Sequence, residues 1–313
     1  MQGIAIGDVA TRKAFGDALV RIGTDERVVA LTGDLKNSTH VEDFAAKYPD
    51  RFFDVGIAES NMIGVAAGLA LNGKIPFACS FSAFITGRQE TVRLSVGYNH
   101  ANVRLVGTHV GIGIGDDGAS QMALEDIAAM RAFGDMAIIQ PCDEVETHRA
   151  VDYLLEHPGP AFLRLMRQGT KAIHGEDYRF EFAKAEQLRD GADLALVATG
   201  GLVQEALIAA DELAKEGIQA RVLNVHTIAP LDAGTIARAA RDCGRVISAE
   251  DHNVNGGLGS AVAEAIAESG SGARLKRIGL HTFGESGSQQ ELYDKYGLAG
   301  ARIADTAREF VKS

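Results

Sequence analysis

The chain has 313 residues, of which 46% are hydrophobic and 23% charged, and a formal net charge of −11. This length and apolar content predict a globular protein of about two domains, and the acidic balance argues against nucleic acid or an anionic membrane as partner, because both favour basic surfaces. Three cysteines without paired spacing predict buried thiols, no metal site and no disulfide, so we expect a cytoplasmic protein.

Strands and helices alternate along the first half of the chain. Apolar runs predict strands, and apolar residues three or four positions apart predict helices. Such alternation indicates parallel strands joined by helical crossovers, with ligands beyond the carboxyl ends of the strands. The predicted strands cover 27–35, 52–57 (expected to be buried), 74–81, 102–111, 136–141 and 161–167, and the predicted helices cover 41–49, 61–71, 82–96, 124–134 and 143–157.

A polar stretch then interrupts the alternation, and a second, smaller α/β unit follows it. We predict a first domain at 1–170, a linker at 171–190 and a second domain at 191–313. Both domains are expected to be doubly wound, with mostly parallel sheets. In the second domain the predicted strands are 193–201, 219–228 and 244–251, and the predicted helix is 202–217.

Glu59 lies where a predicted strand gives way to a predicted helix, next to apolar and small residues. One explanation is an acidic residue at a helix start, favoured by the helix dipole. The other is a catalytic carboxyl group, held rigidly at a turn and able to share a proton with a ligand. The residues by themselves leave both explanations open.

Polar and aromatic residues occur at several other strand ends. Arginines with histidine and serine suit an anionic, phosphorylated small molecule, and aromatic rings suit a flat heterocycle. Each residue alone also has a structural explanation, such as a turn cap, a core aromatic or a surface ion pair. The glycine-rich loop at 111–118 does not fit a dinucleotide site, because two aspartates in it would repel a pyrophosphate. The candidates are Arg12, Asp34, Ser38, Phe81, Phe84, His109, Asp117 and Arg167.

Seven segments occur in the order found in transketolases and resemble their pyrimidine-binding domain. They are ATRKAFGDAL, GDLKNS, DVGIAESNMIGVAAGLA, FSAFITGR, GTHVGIGIGDDGAS, QPCDEVET and LRLMRQ. The region from about 191 resembles the transketolase C-terminal domain, and FGESGSQQELYDKYGL is also similar to 1-deoxy-D-xylulose-5-phosphate synthase. The resemblance implies a pyrimidine-binding thiamine diphosphate fold followed by a smaller α/β domain. The family's Mg²⁺ and diphosphate motif, Gly-Asp-Gly followed by Asn-Asn, is not found in the chain.

The resemblance implies that thiamine diphosphate binds in the first domain. Glu59 matches the glutamate that hydrogen-bonds a ring nitrogen of the cofactor's aminopyrimidine, which makes it the implied catalytic residue. Phe81 and Phe84 match rings that pack against the pyrimidine, and Gly87 replaces a third aromatic residue, so one wall is expected to be open. The implied cofactor-binding residues are Asp34, Ile57, Glu59, Phe81 and Phe84.

The resemblance also implies a sugar phosphate site. Four of its residues match the groups that hold the phosphate, and Asp117 matches an aspartate that contacts a sugar hydroxyl near the reacting carbonyl. Gln121 stands where transketolases have a histidine, and glutamine cannot become a cation near neutral pH. We therefore expect an altered donor, a less common ketose phosphate. The implied substrate-binding residues are Arg12, Ser38, His109, Asp117, Gln121 and Arg167.

The implied function is that of one subunit of a split transketolase. Such an enzyme transfers a two-carbon ketol unit from a ketose phosphate to an aldose. Because the diphosphate motif is missing, the Mg²⁺ ligands are expected on an N-terminal-half partner subunit, in an α2β2 assembly active only when complete. Two alternatives remain: half of a 1-deoxy-D-xylulose-5-phosphate synthase-like enzyme or the β subunit of a 2-oxo acid dehydrogenase, and a non-catalytic regulatory subunit of the same fold.

Overall fold

The computed structural model describes residues 9–313, so residues 1–8 of the predicted first domain lie outside the described residues. Two α/β units follow one another along the chain, each built around one main sheet. Among residues 9–313, no helix has the length and apolar character that a membrane crossing requires.

The first unit alternates strands with helices over the stretch where the sequence predicts this. Its helix α1 buries residues spaced three or four apart, such as Phe15, Leu19 and Ile22, as an amphipathic helix does when it packs on a sheet. The elements are β1 (Val9–Ala10), α1 (Thr11–Ile22), β2 (Val28–Thr32), α2 (Glu42–Lys47), β3 (Phe52–Asp54), α3 (Glu59–Leu71), β4 (Ile75–Phe81), α4 (Ser82–Thr86), α5 (Gln89–Thr91), β5 (Arg104–Thr108), α6 (Asp126–Arg131), β6 (Ala137–Ile139), α7 (Glu144–Glu156), β7 (Ala161–Arg164) and β8 (Gly169–Thr170).

The second unit repeats the alternation on a smaller sheet. Its helix α9 ends at Gly244, whose φ of 64° is the left-handed conformation that glycine adopts most easily after a helix. The elements are β9 (Glu186–Arg189), β10 (Leu194–Ala198), α8 (Leu202–Ala214), β11 (Ala220–Asn224), β12 (Thr227–Ala229), α9 (Ala233–Cys243), β13 (Arg245–Asn253), α10 (Leu258–Ser269), β14 (Arg274–Leu280), α11 (Gln289–Lys295) and α12 (Gly300–Lys312).

Both main sheets are mostly parallel, which confirms the predicted fold class. Within the described residues the first has the order β12-β6-β7-β5-β4-β2-β3, and the second has the order β14-β13-β10-β11-β9. Strands β2, β4, β5 and β7 are buried along their whole length, as expected when helices cover both faces of a parallel sheet. The three cysteines of the chain are buried free thiols.

The register of the first sheet brings several strand ends together. Thr32 at the end of β2 pairs with Asp54 at the end of β3. Phe81 at the end of β4 pairs with Thr108 at the end of β5. Parallel strands end at one edge of the sheet, so the residues that follow them form a common site there.

The strand predicted at 52–57 is present at its first three positions, but the prediction that it is buried is wrong. The strand β3 covers Phe52–Asp54, pairs with β2 on one side only and leaves Phe53 38% exposed. An edge strand has a neighbour on one side, so apolar content alone does not bury it.

The predicted linker at 171–190 is partly ordered as a strand. Its last part forms β9, which pairs antiparallel with β11 at the edge of the second sheet. In addition, β12 pairs antiparallel with β6, so a segment of the second unit extends the first sheet. Local polarity in the sequence does not reveal either pairing, because both depend on contacts with distant strands. The exact division of the chain into domains stays a prediction.

A buried ion cluster fixes the linker to the first unit. Nδ1 of His174 lies 2.9 Å from Asp143 Oδ2, and Nε2 lies 2.8 Å from Glu186 Oε2. Burial alone would lower the pKa of His174, but hydrogen bonds to Asp143 and Glu186 raise this pKa from 6.5 to about 10. The imidazole is therefore a cation at neutral pH, held between two carboxylates.

Replacing His174 with glutamine is expected to lower the free energy of unfolding by about 3 kcal/mol near neutral pH, because Asp143 loses its buried cation. A folded-state pKa of about 10 above an unfolded value of 6.5 means that the contribution is full below pH 6.5 and is lost as the pH rises through about 10. Urea unfolding of both proteins between pH 6 and pH 10 tests this.

The matched control is His100→Gln, since His100 forms an exposed pair with Asp135 at 3.2 Å. Exposed pairs contribute less than about 1 kcal/mol, so this variant should unfold nearly like the wild type at every pH. A His174→Gln effect that does not shrink toward pH 10 would contradict the ion-cluster explanation.

Candidate functional site

Glu59 is the first residue of α3 and is buried, with 4% of its surface exposed. Among the described residues, Ser80 of β4 is its hydrogen-bond donor, with Oγ 3.3 Å from Oε1. A Cβ on Gly33, just after β2, would lie 3.4 Å from the same oxygen. The carboxyl group therefore lies between the ends of β2 and β4, where a ligand can supply further hydrogen bonds.

An aromatic stack begins at Phe81, the residue that follows Ser80 in β4. The rings of Phe81 and Phe84 are stacked with centroids 5.3 Å apart, and the ring of His109 stacks on Phe81 at 3.7 Å. Phe81 is buried and Phe84 half-buried, so part of the second ring faces open space. Such a stack of rings suits a flat heterocycle, and it includes His109.

Two residues of the site have a left-handed backbone. Asp34 has a φ of 62° and His109 a φ of 59°, which is uncommon for residues other than glycine. The backbone N–H of Asp34 donates to Asp54 Oδ1 at 2.9 Å, which helps to hold this conformation. Such conformations cost about 1–3 kcal/mol and cluster at functional sites.

Arg12 connects two other predicted substrate residues, Ser38 and His109. Its Nη1 donates to the backbone carbonyl of Ser38 at 2.7 Å and to His109 Nε2 at 3.2 Å. Because Nε2 accepts, the imidazole proton is on Nδ1, which donates to Thr108 Oγ1 at 2.8 Å. Burial, followed by the positive charges of Arg12 and Arg167, lowers the pKa of His109 from 6.5 to about 3. His109 is therefore neutral at physiological pH and acts as a hydrogen-bonding group.

Arg167 brings a second guanidinium group to the same place. Its Nη1 donates to the carbonyl of Ile114 at 2.6 Å and lies 3.4 Å from Asp117 Oδ2. Burial and then the positive charge of Arg167 lower the pKa of Arg12, and the buried Nε of Arg12 has no hydrogen-bond partner among the described residues. Two cations and an unpaired donor make this place suitable for an anion.

Two predicted residues remain apart from these contacts. Ile57 is 84% exposed, two positions before Glu59, and its side chain faces open space. Gln121 is half-buried and its backbone N–H donates to the carbonyl of Gly118 at 3.1 Å, in the loop that also carries Asp117. The structure thus connects Phe84, Phe81, His109, Arg12 and Ser38 by direct contacts, and it pairs Arg167 with Asp117.

Sequence reasoning missed the residues that support this site. Ser80 bonds Glu59, Asp54 holds Asp34, and Thr108 fixes the tautomer of His109. All three lie within predicted strands, but the predicted strands at 52–57 and 102–111 run past Asp54 and Thr108, which are the last residues of β3 and β5. The sequence pattern therefore gave no signal for these residues, and their contacts depend on the register between strands.

Residues 7–171 match the transketolase pyrimidine-binding domain, and residues 183–303 match the transketolase C-terminal domain. The chain is 44% identical to the putative transketolase C-terminal section of Methanocaldococcus jannaschii, over 96% of this chain and 96% of that protein. The chain belongs to the transketolase family. Its length is that of a transketolase C-terminal section.

Two further transketolase relatives are similar over almost their whole length. The 6-deoxy-6-sulfo-D-fructose transketolase subunit SqwH of Clostridium sp. (strain MSTE9) is 44% identical, over 95% of this chain and 93% of that protein. A solved split gene transketolase, described as an inactive β4 tetramer, is 40% identical with a TM-score of 0.90, covering 97% of this chain and 99% of that chain. The family assignment, the transferase class and the α/β fold predicted from the motifs are thereby confirmed.

Proposed function

We propose that this chain is the pyrimidine-binding half of a split, thiamine diphosphate-dependent transketolase that transfers a two-carbon ketol unit from a ketose phosphate to an aldose. The observation that carries the proposal is the buried carboxyl group of Glu59, bonded by Ser80, which precedes the Phe81 of the Phe81 and Phe84 stack. This stack continues to His109 and Arg12, so a heterocycle site and an anion site adjoin. The enzyme is assigned to the cytoplasm, because buried free thiols suit a reducing compartment.

The residues fit the aminopyrimidine part of thiamine diphosphate. Glu59 would hydrogen-bond a ring nitrogen, and Phe81 and Phe84 would pack against the ring, with Asp34 and Ile57 at its edge. When bound, the cofactor supplies the electron sink for breaking and forming the carbon–carbon bond. The chain's own part is to hold a proton at the Glu59 carboxyl group, to orient the ring and to exclude water from the site.

The donor would bind through its anionic end. Arg12 and Arg167 would pair with the phosphate, the neutral His109 and Ser38 would add hydrogen bonds, and Asp117 would contact a hydroxyl group of the sugar. The exposed fractions support this role, since Arg12 and Arg167 are both partly open to a ligand. Planar guanidinium groups bind phosphate with two parallel hydrogen bonds, which favours a fixed orientation of the donor.

Gln121 would make the donor an uncommon one. A histidine at this position can carry a positive charge beside the reacting carbonyl, and glutamine cannot. A relative at 44% identity is named for a sulfonated deoxy sugar, which supports a modified donor for this chain as well. The anionic end of the donor stays essential, because the arginines are present.

The test is a donor panel on the complex reconstituted with its partner subunit. Xylulose 5-phosphate, other ketose phosphates, a sulfonated ketose and an unphosphorylated ketose are compared by kcat/KM, in the wild type and in Gln121→His. We expect kcat/KM for a modified donor to exceed that for xylulose 5-phosphate by about tenfold or more, since the change of one polar contact corresponds to roughly 1–2 kcal/mol. In Gln121→His this ratio should be smaller. The unphosphorylated ketose should be the poorest donor.

The control is Gln89→His, an exposed glutamine in α5. It should leave the order of donors unchanged. If xylulose 5-phosphate is used as well as any other donor and Gln121→His changes nothing, the altered-donor proposal is wrong. If no ketose of the panel is a donor, the transketolase proposal itself is wrong.

A further inference from the structure

The glycine-rich segment 111–122, which carries Asp117 and Gln121, lies against the second unit. Asp251, near the end of β13, is buried with 4% of its surface exposed. Its Oδ1 accepts the backbone N–H of Ile112 at 2.8 Å, and its Oδ2 accepts the backbone N–H of Gly113 at 3.1 Å. One carboxylate of the second unit therefore bonds two consecutive amides of this segment.

A third hydrogen bond orients this carboxylate. The hydroxyl group of Tyr293 in α11 donates to Asp251 Oδ2 at 2.9 Å, and Gln168 Nε2 donates to the Tyr293 oxygen at 3.2 Å. Gln168 directly follows Arg167 in the chain. Asp251 and Tyr293 thus contact both the glycine-rich segment and the strand end that carries the proposed phosphate ligand.

The close approach depends on a glycine. Gly111 has a φ of 74°, and a Cβ at this position would overlap the Asp251 carboxylate. Residues from the second unit also cover the far part of the segment, where a Cβ on Gly118 would meet Ser286. The second unit therefore packs closely against the segment at Gly111 and at Gly118, where a residue with a side chain would not fit without a shift.

The bonded amides are one turn away from the proposed substrate ligands. Gly115 donates its backbone N–H to the carbonyl of Ile112 at 3.0 Å, which closes the turn over Ile112–Ile114. The carbonyl of Ile114 accepts from Arg167 Nη1 at 2.6 Å. A shift of this turn moves the acceptor that orients the Arg167 guanidinium group and the backbone that leads to Asp117.

We propose that Asp251 is a positioning residue, through which the second unit holds the Ile112–Ile114 turn and thereby sets the affinity for the anionic end of the donor. The proposal rests on the proposed function. Hydrogen bonds from amides to a carboxylate are stronger than neutral ones, and a donor site loses affinity when its ligands are not held in place. The second unit then contributes to substrate binding although it supplies no proposed ligand.

Glu250 provides a matched control. It is the neighbouring residue, equally buried, and its carboxylate accepts two backbone amides, those of Leu258 at 2.6 Å and Gly259 at 2.8 Å. These amides belong to α10 within the second unit. Glu250→Gln and Asp251→Asn therefore remove the same kind of interaction, and only the second removes it from the glycine-rich segment.

The experiment has two readouts. Hydrogen exchange of the full chain is followed at residues 111–122, and KM and kcat for the donor are measured in the complex with its partner subunit. For Asp251→Asn we expect exchange about tenfold faster in this segment and a KM about tenfold higher with a smaller change in kcat, as for the loss of one charge-assisted hydrogen bond. Tyr293→Phe should shift both in the same direction by roughly threefold, and Glu250→Gln should shift neither.

The outcomes separate the two proposals. If the wild-type complex transfers no ketol unit, the proposed function fails, while the exchange readout still decides whether Asp251 holds the turn. If Asp251→Asn exchanges and binds the donor like Glu250→Gln, the positioning role is overturned. If Asp251→Asn does not fold, Tyr293→Phe decides, and a Tyr293→Phe protein with unchanged exchange and KM overturns the proposal.

Discussion

Glu59→Gln is expected to lower the transketolase activity of the assembled complex by a factor on the order of 10²–10⁴, the range that general acid–base groups contribute. Glutamine keeps the shape of the side chain and its hydrogen bond to Ser80, but it cannot share or transfer a proton with a ring nitrogen. Steady-state rates with saturating cofactor and donor measure the loss. Cofactor affinity, followed by titration, is expected to change much less than kcat.

The matched control for Glu59 is Glu144→Gln. Glu144 is the first residue of α7, as Glu59 is the first residue of α3, so both carboxylates interact with a helix N-terminus. That interaction contributes about 0.3–1 kcal/mol to stability, and Glu144→Gln should keep its activity. If the Glu59→Gln complex keeps full activity and normal cofactor affinity, the catalytic role of Glu59 is wrong. The interaction with the helix dipole is then the explanation for a carboxylate at this position.

The chain without its partner subunit is expected neither to bind thiamine diphosphate tightly nor to catalyse. Diphosphate and Mg²⁺ require hard oxygen ligands, and the family motif that supplies them does not occur in this sequence. In addition, Ile57, one of the expected cofactor-binding residues, is exposed in the chain alone. Adding the partner subunit should restore Mg²⁺-dependent binding and activity together.

Calorimetric titration of each subunit and of the mixture tests this, with donor turnover measured in parallel. Light scattering is expected to give an α2β2 mass for the active mixture. Tight, Mg²⁺-dependent binding of thiamine diphosphate to the isolated chain would contradict the prediction.

The secondary structure predicted from the sequence agrees with the tertiary structure where the local hydrophobic pattern is sufficient to define a strand or a helix. The strands predicted at 27–35 and 74–81 contain β2 and β4. Glu59 lies between a strand and a helix, as predicted. The pattern failed at 52–57, where an apolar run forms an exposed edge strand, and at 171–190, where a polar segment ends in β9. Burial and pairing at the edges of a sheet depend on neighbours that the local sequence does not name.

The sequence by itself determined the alternation of elements, the family and the identity of the candidate residues, because hydrophobic period and ordered motifs are local properties of the chain. Only the tertiary structure decided which of these residues touch. The stack of Phe81 on His109 follows from strand register. The bond from Ile112 to Asp251 joins residues 139 positions apart, and no local pattern encodes it. Contacts of this kind exist because folding closes long loops over a common core, and they place Asp251 of the second unit against the glycine-rich segment.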